Sequence, residues 1–150
     1  MGYRSDVRVA VSFDNEHTRK EVMAVYSMHP LVQEHNIAKD WHVHDGEMSF
    51  WRDNTGGSMP VYTLMYSADY VKWYDTYEDV QAVEFMHQIC AKFDAEREAF
   101  SYAYKFIRVG EEIEDIEIRS DHGNDGVSSD LDEYLSDMLG VRVEIVSAFD

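Results

Sequence analysis

The sequence predicts an α+β fold with a mainly antiparallel sheet and two or three helices. Three observations predict it. Apolar and polar residues alternate in short runs near residues 7–13, 61–66, 102–107 and 141–147, the period of half-buried strands. Two other stretches repeat apolar residues at helical spacing, Val22-Val25-Tyr26 and Ala82-Phe85-Met86-Ile89-Phe93. The two kinds of stretch follow one another as strand, helix, strands, helix, strands, short helix, strand, the order of an α+β domain. The chain of 150 residues, 45% of them hydrophobic and 13% aromatic, suits a single domain over residues 1–150.

Taken in order, Val7, Val9 and Val11 alternate with Arg8, Ala10 and Ser12 in the first strand. Asp14-Asn15 supplies a helix cap, and the helix closes at Pro30, which restricts His29. Asp45-Gly46 reads as a two-residue hairpin turn between residues 41–44 and 47–51, and residues 54–57 mark the next loop. A second helix opens at Thr76, with Asp79 three residues on as a near capping box. Tyr102, Tyr104 and Phe106 alternate in a strand, Gly110 leads to a returning strand at residues 115–119, and Ser129-Asp130 caps a short helix that ends at Gly140. A last strand follows at 141–147. A ferredoxin-like sandwich with a C-terminal extension is the simplest topology, and a curved sheet wrapped around the second helix is the runner-up.

Thirty acidic residues against thirteen basic ones, a net charge of −17, repel phosphate backbones and anionic membranes. This disfavours direct binding of nucleic acid. One cysteine, Cys90, makes neither an internal disulfide nor a cysteine zinc cage, and it lies beside the apolar stripe of the second helix, where it reads as a small core residue. No apolar run is long enough to cross a membrane, and the N-terminus carries no apolar leader. The expected setting is therefore cytoplasmic.

Three clusters invite chemistry. A turn at Asp45-Gly46 would place His44 opposite Glu47 with His42 on the same face, two nitrogens and a carboxylate for a divalent ion, with His35 as a fourth candidate. An ordinary cross-strand pair explains the same residues, and no metal or cofactor is assigned. Residues 121–132 resemble a calcium loop in spacing, but Gly123 stands at its third position and Asp132 at its twelfth, so a polar turn capping the next helix is preferred. The run Tyr66, Tyr70, Trp73, Tyr74 and Tyr77 offers stacking faces, although aromatics at a sheet-to-helix junction normally fill core. No nucleophile elbow, phosphate loop, dinucleotide fingerprint or zinc-protease motif occurs, so no catalytic residue is assigned.

From Glu111 to Asp137 the chain carries eleven acids and one base, Arg119, interleaved with Ile113, Ile116, Ile118, Leu131, Tyr134 and Leu135 and followed directly by Met138 and Leu139. This reads as a folded segment with an acidic outer surface. On an extended strand, alternate side chains stand about 6.6 Å apart. Glu112, Glu114, Asp115, Glu117 and Asp121, extended by Asp130, Asp132, Glu133 and Asp137 on the short helix, would then present a regular row of charge to a basic protein groove.

Met1-Gly2-Tyr3-Arg4-Ser5-Asp6-Val7, Tyr70-Val71-Lys72-Trp73-Tyr74-Asp75-Thr76-Tyr77-Glu78-Asp79-Val80 and Phe106-Ile107-Arg108-Val109-Gly110-Glu111-Glu112 resemble segments of small phage and prophage proteins. The resemblance implies a viral origin and a host-cytoplasm setting, and brings no catalytic motif with it. The sequence reading is then of a non-enzymatic phage accessory protein that binds and inhibits a host defence or nucleic-acid-processing protein with a basic surface, as an acidic nucleic-acid mimic. The alternatives are a metal-binding domain or metal-dependent enzyme on His42, His44 and Glu47, and a virion structural or assembly protein.

Overall fold

The structure, a computed structural model, describes residues 2–49 and 57–139. Strand β1 (Ser5–Phe13) sits at the centre of a sheet because both of its faces are apolar or small. Val7, Val9, Val11 and Phe13 are buried on one side, and Ala10 and Ser12 on the other. Helix α1 (Glu16–Ser27) follows, its first turn capped by the Asn15 side chain, which accepts from the backbone N–H groups of His17 and Thr18. Pro30 opens a further short helix, α2 (Pro30–Glu34), a role that suits a residue with no N–H to satisfy in a first turn. Strands β2 (Trp41–Ser49) and β3 (Ser58–Val71) pair antiparallel, helix α3 (Glu78–Glu96) crosses back, and β4 (Tyr102–Gly110) and β5 (Ile116–His122) form a second antiparallel pair before helix α4 (Gly126–Met138).

The strand order is β2-β3-β1-β4-β5, with every pairing antiparallel. The run β1-α1-β2-β3-α3-β4, with β2-β3-β1-β4 side by side, is the ferredoxin-like arrangement expected, to which β5 adds an edge. Helices α1 and α3 cover one face over a core that includes Val9, Phe13, Val22, Tyr26, Met86, Cys90 and Phe106. The other face carries a smaller core in which Leu131 and Leu135 of α4 pack on Ala10, Val61 and Ala103. Two buried polar contacts hold the layers in register. The Tyr26 hydroxyl donates to the Ala82 carbonyl at 2.8 Å and accepts from the Trp41 indole at 3.0 Å. Under α4, Ser12 and Thr63 share a 2.6 Å hydrogen bond between neighbouring strands. Among the described residues no helix is long and apolar enough to cross a membrane.

Several boundaries differ from the sequence reading. Asp45-Gly46 is not a turn: β2 runs straight through it, placing Asp45 against Tyr62 and Gly46 against Val61. A Cβ at Gly46 would collide with the Tyr134 hydroxyl of α4, so any side chain there forces that ring to move. Helix α3 starts two residues later than Thr76, with Tyr77 at its N-cap and no side-chain cap. Helix α4 starts earlier than Ser129, because Asp125 accepts from the Ser128 N–H at 2.7 Å and is the cap. The strand expected at 141–147 lies outside the described residues.

Candidate functional site

Near one end of the sheet, β4 and β5 carry charged side chains on the face shared with α3. Register sets the pattern: Arg108 pairs with Glu117 and Phe106 with Arg119, so these charges lie side by side on one face of the ladder. The Arg108 guanidinium makes two hydrogen bonds to Asp115, at 2.9 and 3.2 Å, one to Glu117 at 3.2 Å and one to Ser5 Oγ at 3.2 Å. Glu117 continues to Arg119 at 3.0 Å, and Arg119 reaches Glu84 of α3 at 2.8 Å while lying over the Phe106 ring. At the other end the Tyr3 hydroxyl donates to Asp115. A continuous chain of alternating charge results, Asp115-Arg108-Glu117-Arg119-Glu84, with the neutral Tyr3 hydroxyl at its end.

An aromatic wall faces it. Trp73, in the link between β3 and α3, sits between Tyr66 and Phe106 with ring centres 6.3 and 6.1 Å away. Tyr74 is anchored by its hydroxyl, which accepts from the Tyr3 backbone N–H at 2.8 Å, and its ring meets Tyr77 edge-on. Between wall and ladder lies an open cleft of about 550 Å³ that Asp75 also lines. Its lining carries four carboxylates, Asp75, Glu84, Asp115 and Glu117, against two guanidinium groups. The Arg108 guanidinium, and then the Tyr3 hydroxyl, hold the Asp115 carboxyl below the usual carboxylate range. The same hydrogen bond pushes the Tyr3 phenol up.

The acids expected to form one contact row are divided. Asp115 and Glu117 belong to the cleft and are neutralised by arginines. Asp121, on the same face, accepts from His87 at 2.9 Å and from the Tyr102 hydroxyl at 2.8 Å. Burial pushes its carboxyl up, but those hydrogen bonds outweigh it and hold it below the usual range. Glu112 and Glu114 are exposed in the turn between β4 and β5, not on an extended strand, and Glu114 adopts a left-handed backbone with φ of 70°. Asp130, Asp132, Glu133 and Asp137 ride on α4, which covers the opposite face of the sheet. There Asp132 forms an ion pair at 3.3 Å with the buried Lys105, whose ammonium also donates to Ser136. Asp130, Glu133 and Asp137 line a second cleft, of about 390 Å³, together with Glu47.

The histidine hairpin does not assemble. His42 and His44 are exposed on β2 opposite Met65 and Thr63, Glu47 lies opposite Pro60, and straightening the turn is what separates them. His35 lies instead beside Glu34 and Glu78. Residues 121–132 form a strand end, a turn and a helix start, with Asp121 and Asp125 occupied by hydrogen bonds within the chain. Cys90 is fully buried in the core, as expected, and burial pushes its thiol up.

Sequence reasoning missed Tyr3, Glu84 and Arg108 as site residues, and treated Arg119 only as a lone base. One signal for the pair was present: Glu117, Arg119 and Asp121 alternate on one face of a strand that returns against Arg108.

No family model matches the chain, and no curated protein does. Among solved structures it is similar to a phage SAM lyase in complex with S-methyl-5'-thioadenosine, at 11% identity and a TM-score of 0.41, over 81% of this chain and 91% of that one. That protein is an enzyme holding a small molecule. The expectation of a non-enzymatic inhibitor that mimics nucleic acid is not kept: the row of charge that a mimic needs is split between two faces of the sheet and largely paired within the chain.

Proposed function

We propose that the cleft between the Trp73-Tyr74 wall and the Arg108-Glu117-Arg119 ladder binds and turns over a small cationic or zwitterionic molecule that carries a flat, apolar part. The observation that carries this reading is the pairing of an aromatic wall with a charge ladder in which carboxylates outnumber guanidinium groups four to two. A ring stacks on Trp73 or Tyr74, a positive centre is drawn to the carboxylates, and the guanidinium groups take an anionic end. Groups held in place by one another also present their charges to a reacting molecule with little reorganisation, as electrostatic catalysis requires. The proposal includes a phage setting in the host cytoplasm and an anti-defence role exerted on a host metabolite instead of a host protein.

S-adenosylmethionine has this chemistry: an adenine ring, a sulfonium and an amino-acid end. S-methyl-5'-thioadenosine keeps the ring but has a neutral thioether in place of the sulfonium and lacks the amino-acid end. Calorimetric titration with each, followed by chromatography of S-adenosylmethionine incubated with the protein, tests the reading. Saturable binding of S-adenosylmethionine is expected, weakened about tenfold or more by Trp73→Ala or Glu117→Gln, together with its loss on incubation. Absence of binding by both molecules, or binding that ignores both substitutions, overturns the assignment of this cleft.

A further inference from the structure

A separate cluster lies where α2 meets the start of α3. Helix α2 ends at Glu34, His35 follows as its C-cap, and Glu78 is the first residue of α3. The two helices are pinned together by His29, at the start of α2, whose ring packs on Phe85 of α3 with centres 3.5 Å apart. One ligand atom each from Glu34, His35 and Glu78 lies within 4.8 Å of the others. His35 Nε2 and Glu78 Oε2 are 3.3 Å apart, longer than the roughly 2.7–2.9 Å of a charge-assisted hydrogen bond. It equals the ligand-to-ligand edge of a tetrahedron drawn around an ion with bonds of about 2.0–2.1 Å, which is about 3.3–3.4 Å. Among the described residues no lysine or arginine pairs with Glu34 or Glu78, so two carboxylates converge with only an imidazole between them.

We infer that Glu34, His35 and Glu78 bind a divalent ion of the zinc type, with water completing the coordination. One imidazole nitrogen with two carboxylate oxygens is a donor set that suits such an ion, and the exposed position leaves room for the water. Bound there, the ion links the end of α2 to the start of α3.

The test uses the full chain freed of metal with a chelator. Zinc is titrated by calorimetry and cobalt by its visible absorption, with thermal unfolding followed in parallel. The expected result is one ion per chain at micromolar zinc and a melting temperature that rises with zinc, since an ion bound only by the folded state stabilises it. His35→Ala and Glu78→Gln should each weaken binding at least about tenfold and remove the rise in melting temperature, with the circular dichroism of the metal-free protein unchanged. The double variant His42→Ala/His44→Ala, on exposed β2, should bind as before. No saturable binding below millimolar zinc, binding that survives His35→Ala, or binding lost only in the β2 variant would each overturn the inference.

Discussion

Arg108 shows how one residue can organise a site. Its guanidinium meets two carboxylates and a serine, and its side chain is only 17% exposed. Removing it with Arg108→Met leaves Asp115 without its cation and Glu117 with Arg119 alone. The expected cost is about 1–3 kcal/mol, between that of an exposed and a buried pair, read from the urea midpoint. Asp115 adds a pH dependence whose sign is set. Its folded carboxyl lies below the ordinary value of 3.8, so the stabilisation is present above that value and fades as pH falls through the lower folded value. Stability measured against pH should therefore drop on the acid side, and Asp115→Asn should flatten that limb. An unchanged acid limb would show that the Arg108 and Tyr3 contacts do not favour the carboxylate in solution. Cys90 gives a simpler check: its buried thiol should ignore a disulfide reagent in the native protein and react once the chain is unfolded in urea.

At the scale of elements, packing across layers decides where strands continue and helices begin. Asp45-Gly46 has the composition of a hairpin turn, yet the Tyr134 side chain of α4 reaches across the sheet to Gly46. A side chain there meets an aromatic ring held by a helix, so Gly46→Ala should destabilise by about 1–3 kcal/mol in thermal or urea unfolding. Shortening the ring with Tyr134→Leu should recover part of the loss. Failure of that rescue would mean that the glycine serves the backbone of β2 instead of the contact. Helix α4 makes the same point from its other end. Ser129-Asp130 looks like a cap, but Asp125 reaches the Ser128 N–H and also accepts from the Ser101 hydroxyl at 2.7 Å, so the helix starts where it can be tied to the start of β4.

For the whole molecule, the net charge of −17 means that the folded chain repels itself even though many acids are paired locally. Raising salt from about 10 mM to 150 mM should raise the melting temperature, because screening relieves the long-range repulsion more than it weakens the partly buried pairs. A melting temperature that falls instead would mean that the ladder and the other ion pairs outweigh the net repulsion. Much of the architecture was legible in the residues themselves. Val7, Val9 and Val11 declare a strand, Ala82, Met86 and Phe93 declare a helix face, and their order along the chain points to the ferredoxin-like sheet, because period-2 and period-3.6 burial leave different marks on a sequence. Those marks are local, and so were the readings that held: the Asn15 cap and the buried Cys90. What only the tertiary structure decided was which charges meet. Tyr3 and Asp115 are 112 positions apart, and Arg119 and Glu84 are 35 apart. Strand order and register bring them to one cleft, while the same architecture sends the acids of α4 to the opposite face. Charge density along a sequence counts residues without saying which side of a sheet they occupy, and Coulomb interactions depend on distance in space.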